Sequence, residues 1–121
     1  LLASYADVKF ADKYFTAIGN TAWGITPKKN DSQHVDALKK KTAALIKATL
    51  WLDSVAAEKW KGCKTSASQE LAWPRKEVKV DGVELASDVI PERVKFAVCE
   101  AAVRIIQNID LEPDLERGAL I

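Results

Sequence analysis

Gln69-Glu70-Leu71-Ala72-Trp73-Pro74-Arg75, followed by Ile90-Pro91-Glu92-Arg93-Val94-Lys95, sets the architecture of this chain. Trp73 places a large anchoring side chain on backbone that cannot be helical, because the ring of Pro74 pushes the residue before it into extended geometry. Arg75 adds a rigid fork of donors just beyond the anchor. Pro91 does different work: it suits the first turn of a helix, where its missing N–H is not needed. The two pieces describe an extended arm held between two helices, a part built for contact rather than for chemistry.

The arm contains its own turn. Val78 and Val80 precede Asp81-Gly82, and Val83 and Leu85 follow it. A two-residue Asp-Gly turn between alternating apolar residues predicts a hairpin, because both turn positions need positive φ. A lone hairpin is marginal in water, so it must lie against the helices or a neighbouring subunit.

Upstream, Val35, Leu38, Thr42, Leu45, Thr49, Leu52 and Ala56 recur at helical steps and predict a long seam helix, widened by Ile46 and Trp51 and capped by Asp31 or Ser32. Before it, Ser4 is expected to cap a shorter helix with Asp7 as a capping-box partner. Phe10, Tyr14 and Phe15 form the stripe of that helix, and Gly19-Asn20 stops it. Thr21 to Asn30 reads as a loop. So does Glu58 to Glu70, with Trp60 as its one anchor.

Downstream, Pro91 opens a third helix. Val94, Ala97, Val98, Ala101, Ile105 and Ile109 make one face; Phe96, Cys99, Val103 and Ile106 make much of the rest apolar too. Arg93, Glu100 and Arg104 form the remaining polar strip, with an i,i+4 pair expected between the last two. Residues 111–121 carry Pro113 and Gly118 without a sustained period and read as a tail. The expected fold is mainly α: a three-helix bundle in one domain over residues 1–110, a β-hairpin arm at about 74–87 between the second and third helices, and an extended C-terminal tail.

Composition narrows the function classes. The chain has 121 residues, 48 % of them apolar, and a net charge of +1 from 18 basic and 17 acidic side chains. That length and apolar content suit one domain with a real core. Balanced charge argues against a dedicated nucleic-acid binder. The charge is nonetheless segregated. Residues 28–64 hold nine Lys and four acids, a balance of +5, and residues 81–117 hold nine acids and four basic residues, a balance of −5. Ordinary solvated surface accounts for such a split; so does a polarised subunit meeting its neighbour head to tail.

Two lone cysteines, Cys63 in a polar loop and Cys99 in an apolar helix, give no disulfide framework, so a reducing compartment is expected. No apolar run is long enough to span a membrane. No signal-peptide pattern is present. With no Met in the chain, residue 1 is expected not to be a natural start.

The inventory for catalysis is thin. His34 is the one histidine, at an expected exposed position, so no Ser/His/Asp or Cys/His set can be assembled without it. The glycines form no phosphate-binding loop. Asp110, Glu112, Asp114 and Glu116 cluster only in the tail. The expectation is no enzyme, no metal and no cofactor. For nucleic acid, Lys28-Lys29, Lys39-Lys40-Lys41 and Lys59-Trp60-Lys61 mix basic charge with an aromatic, as single-strand binders do. The competing reading is a solvated helix face and loop. Trp23, Trp51, Trp60 and Trp73 suit core anchors or interface hot spots better than base-stacking platforms.

Taken in order, Ala11-Asp12-Lys13-Tyr14-Phe15, Gly19-Asn20 with Trp23, Ala48-Thr49-Leu50-Trp51-Leu52-Asp53, Trp60-Lys61-Gly62 and the two opening stretches resemble a family of small tailed-phage proteins labelled "DnaT-like single-stranded DNA-binding protein". The resemblance runs from Ser4 to Ile106. That family is in turn similar to head–tail connector, or adaptor, proteins of the phage neck. The resemblance implies a structural virion protein at the head–tail junction, made in the host cytoplasm. It implies a homo-oligomeric ring, expected to be a dodecamer, that meets the portal protein and the next neck or tail-completion protein. Genomic DNA would touch the channel transiently, and no membrane would be involved. On that reading Trp73, Pro74, Arg75, Val78, Val80, Val83, Leu85, Leu115 and Arg117 face a neighbouring subunit or partner. The alternative is a single-stranded DNA-binding accessory protein of phage replication, with Lys39, Lys40, Lys41, Lys59 and Lys61 facing DNA.

Overall fold

Small side chains decide how the helices meet. In a computed structural model, which describes residues 4–57 and 59–109, helix α1 spans Val8–Ala17, α2 His34–Ala56 and α3 Glu92–Ile106. Between α2 and α3 lie four two-residue strands: β1 Cys63–Lys64, β2 Arg75–Lys76, β3 Lys79–Val80 and β4 Val83–Glu84. The architecture is the expected one, mainly helical with a hairpin before the last helix. The α2 and α3 helices pack most extensively on one another. Both contacting faces carry alanines, Ala44 and Ala48 on α2 and Ala101 and Ala102 on α3, all buried.

Those alanines displace the expected seam. Leu45, Thr49 and Leu52 are buried as predicted, but the first half of the stripe runs through Lys41 and Ala44. Val35 is 56 % exposed, and Thr42 is exposed as well. Alanine contributes little to an apolar period yet permits close approach, so a seam read from large residues points slightly off the contact.

The helix ends also differ from expectation. Asp7, not Ser4, caps α1, its carboxylate accepting from the Phe10 amide at 2.7 Å. Ser4 instead ties the entering chain to α2, with its Oγ 3.1 Å from Thr49 Oγ1. At α2 neither Asp31 nor Ser32 caps; Gln33 occupies that position without a side-chain bond. Asp31 closes the preceding turn by accepting from the Gln33 amide at 2.8 Å. His34 is half-buried rather than exposed, its Nδ1 2.6 Å from the Pro27 carbonyl. Gly19 at φ +71° ends α1 as expected.

The aromatic stripe of α1 is core. Phe10 and Tyr14 stack on Phe96 of α3, with ring centroids 5.8 and 4.8 Å apart, and Phe15 stacks on Trp23 at 5.1 Å. The Asp81-Gly82 hairpin forms in the predicted register, Val80 opposite Val83, with φ of 52° and 81° at the turn. Its root is held in the core by Val78, 5 % exposed. The Glu58–Glu70 segment is more than the expected loop, since Cys63–Lys64 pairs antiparallel with Arg75–Lys76. In α3, Pro91 stands just outside the helix and accepts from the Val94 amide at 3.1 Å. Glu100 forms no ion pair with Arg104; among the described residues the ion pair present joins Lys41 to Asp12. The expected tail, residues 111–121 with Leu115 and Arg117, and the acidic cluster from Asp110 onward lie outside the described residues. Among those described, no helix is long and apolar enough to cross a membrane.

The two cysteines have opposite fates. Cys63 is exposed and Cys99 buried. Burial, then the negative charges of Glu100 and Asp7, push the Cys99 thiol up to about 12. In the native protein iodoacetamide should therefore modify Cys63 alone, and Cys99 only after denaturation; mass spectrometry of the alkylated peptides checks this. The same burial sets an alkaline limit. The unfolded thiol ionises from its ordinary value of 9.0, while the folded one keeps its proton. The native state then binds more protons than the unfolded one, and stability falls with rising pH. Tyr5, raised above its ordinary 10.0 mainly by burial and next by Asp53, acts with the same sign. Thermal unfolding should show a melting temperature that declines from pH 9 upward.

Candidate nucleic-acid interface

The arm is fastened to the bundle by a network centred on Tyr5 and Asp53. The Tyr5 hydroxyl donates to Asp53 Oδ1 at 2.6 Å and accepts from the Trp73 amide at 3.1 Å. Asp53 Oδ2 accepts from the Ala72 amide at 3.1 Å. These bonds satisfy two arm backbone donors that would otherwise be buried without a partner, a cost of about 1–3 kcal/mol each. They also bring the Trp73 side chain into the core, 6 % exposed. Trp60 meets it edge to face, with centroids 5.5 Å apart. The Trp73–Pro74 peptide is cis.

Beyond the anchor, polar side chains shape the loop. Gln69 donates through Nε2 to the Leu71 and Pro74 carbonyls at 2.9 and 2.8 Å, and its Oε1 accepts from the Ser66 amide at 3.0 Å. The Arg75 guanidinium donates to three carbonyls, Lys61 and Gly62 on the facing segment and Ala72 on its own, at 2.8, 3.0 and 3.1 Å. Gly62 is required where the segments cross: a Cβ there would strike the Lys76 carbonyl oxygen and lie 2.8 Å from Val78 Cγ2. Its φ of +71° also favours glycine.

This construction gathers positive charge. Residues 59–79 hold six basic residues, Lys59, Lys61, Lys64, Arg75, Lys76 and Lys79, against Glu70 and Glu77, a balance of six minus two, +4. All five lysines are exposed. Among the described residues none of the six lies within ion-pair distance of a carboxylate. Among the described residues Arg75 bonds only to neutral carbonyls, so its charge is held in place without being cancelled. The arm therefore offers fixed and flexible cations on the β1–β2 ladder and on the segments that flank it.

The residues singled out from sequence fall into three groups. Trp73, Pro74 and Arg75 are engaged within their own chain, Val78 is buried and Leu85 half-buried, while Val80 and Val83 stand exposed at the hairpin. Lys59 and Lys61 are exposed on the arm, and Lys39 and Lys40 are exposed on α2 beside Lys47. Lys41 parts from its neighbours, since consecutive helical residues cannot share a face. It is 5 % exposed. Its Nζ lies 2.8 Å from Thr26 Oγ1, 2.9 Å from the Gly24 carbonyl and 3.4 Å from Asp12 Oδ1, with the Trp23 ring centroid 5.1 Å away. Lys41 is thus an interior anchor of the loop after α1. Sequence reasoning missed Lys64 and Lys76, which only the β1–β2 pairing places on adjacent strands, and Lys79, which starts the separate β3–β4 hairpin opposite Glu84. It also missed Tyr5 and Asp53, whose partners are distant in the chain. Among the described residues no three His, Cys, Asp or Glu side chains gather as a metal site.

A family model described as "Putative DnaT-like ssDNA binding protein" matches residues 2–121. No curated protein and no solved structure matches the chain. The matching family corrects the expectation of a head–tail connector. Its description points to single-stranded DNA rather than to a structural place in a virion, and the portal-binding and DNA-packaging roles fall with the connector reading.

Proposed function

Since the chain belongs to the DnaT-like ssDNA-binding protein family, we propose that it binds single-stranded DNA through its basic arm. The observation that carries this reading is the set of exposed lysines, Lys59, Lys61, Lys64, Lys76 and Lys79, without ion pairs among the described residues and spread over an arm whose β1–β2 ladder is braced by Arg75. Lysine ammonium groups on flexible stems contact phosphates as point charges and read no sequence. The arm's own arginine fork, Arg75, which could recognise a base edge, is spent on backbone carbonyls. Trp60, half-buried between Lys59 and Lys61, leaves part of one aromatic ring for contact with a base. The expected mode is backbone tracking with little base preference.

Net charge of +1 limits long-range attraction, so affinity should rest on these local contacts and be sensitive to salt. Each phosphate contact on a single strand contributes a slope of about −0.7 in log K against log salt. Five lysines therefore set a limit of about −3.5. Titrating oligothymidylate and following tryptophan fluorescence at two salt concentrations tests the proposal. Binding at low salt that weakens steeply with added salt supports it. Absence of binding at low salt sinks it.

A further inference from the structure

The DNA-binding reading leaves two features unused, and they fit one another. The first is a groove of about 580 Å³ between the end of α1 and the following loop, lined by Phe15, Thr16, Thr21, Trp23 and Ile25. Its acidic wall residue, Asp12, is already neutralised by Lys41. Ile25 on its wall is 95 % exposed and nearby Ile18 52 %. The second feature is the hairpin tip. Val80 and Val83 pair across the turn and remain 42 % and 70 % exposed. The root of the hairpin is buried through Val78, so the tip is presented from a firm base.

We infer that the hairpin tip of one copy docks in the α1-loop groove of a second copy. Charge favours this occupant. The tip carries exposed Asp81 and Glu84 against one lysine, Lys79, a balance of −1, and the loop that forms the groove continues into exposed Lys28 and Lys29. The chain's own hairpin does not fill the groove, because Val83 and Ile25 both stay exposed. Knob and socket are different patches of the chain, so a contact that is not reciprocated is heterologous and propagates head to tail. Two valines and a short turn bury little area, which makes the contact weak and concentration-dependent. The inference does not depend on DNA binding, although Lys79 belongs to the same hairpin, and it is measured without nucleic acid.

The test uses two variants of the full chain, Val83→Lys, which spoils the knob, and Ile25→Lys, which spoils the socket. Both positions are exposed, so circular dichroism and melting temperature should match the wild type. Sedimentation velocity over a range of concentrations should show the wild type growing beyond a dimer and each variant staying monomeric. An equimolar mixture retains one intact knob and one intact socket, and should form dimers that grow no further. A wild type that remains monomeric overturns the inference. So does a Val83→Lys protein that assembles like the wild type, or a mixture that stays monomeric.

Discussion

Replacing Trp73 with alanine is expected to destabilise the protein by about 3–5 kcal/mol, the usual cost of truncating a buried aromatic in a core. A domain of this size has about 5–15 kcal/mol of stability in all, so the variant should sit near the edge of folding. The side chain is 6 % exposed and supports Trp60 edge to face. Its loss would leave a cavity beneath the arm, while the Tyr5–Asp53 bonds to the arm backbone would have to hold it alone. Urea unfolding followed by circular dichroism measures the change. A loss under about 1 kcal/mol would place Trp73 among surface substitutions and refute its role as the anchor.

Neutralising the arm should leave the fold intact and remove most of the DNA affinity. Lys61, Lys64 and Lys76 are exposed and without ion pairs among the described residues, so the triple Lys→Ala variant is expected to unfold as the wild type does. Three lost phosphate contacts reduce the salt slope by about 2 and weaken binding on the order of 10²-fold at low salt. The comparison that gives this meaning is Lys39→Ala with Lys40→Ala on α2. Those lysines are equally exposed but carry no strand ladder or neighbouring tryptophan, and their loss should change affinity far less. Anisotropy of a labelled oligonucleotide across salt concentrations reads both variants. Equal losses from the two would move the interface off the arm.

The helices and the hairpin were legible because each rests on local rules. Asp81-Gly82 between valines specifies its turn wherever it sits, and α3 announces itself through Pro91 and an apolar run. What escaped depends on partners far along the chain. Nothing local marks Cys63–Lys64 as a strand; it becomes one because Gly62 lets the Lys76 backbone come close. Lys41 looked like one of three surface lysines, yet Asp12, Gly24 and Thr26 compensate its burial. Asp53 drew no structural expectation from the sequence, because its arm partner Ala72 follows nineteen positions later. For the site, the Lys59-Trp60-Lys61 cluster was visible at once. The rest of the basic arm appeared only when the ladder set Lys64 and Lys76 on adjacent strands.

The central claim is that single-stranded DNA lies along the arm. Amide chemical-shift mapping of the ¹⁵N-labelled protein with oligothymidylate at low salt tests it most directly. Perturbations are expected to concentrate at residues 59–64 and 75–79, with α2 residues around Lys39 and Lys40 little changed. Shifts confined to α2, or none at all at saturating oligonucleotide, would contradict it.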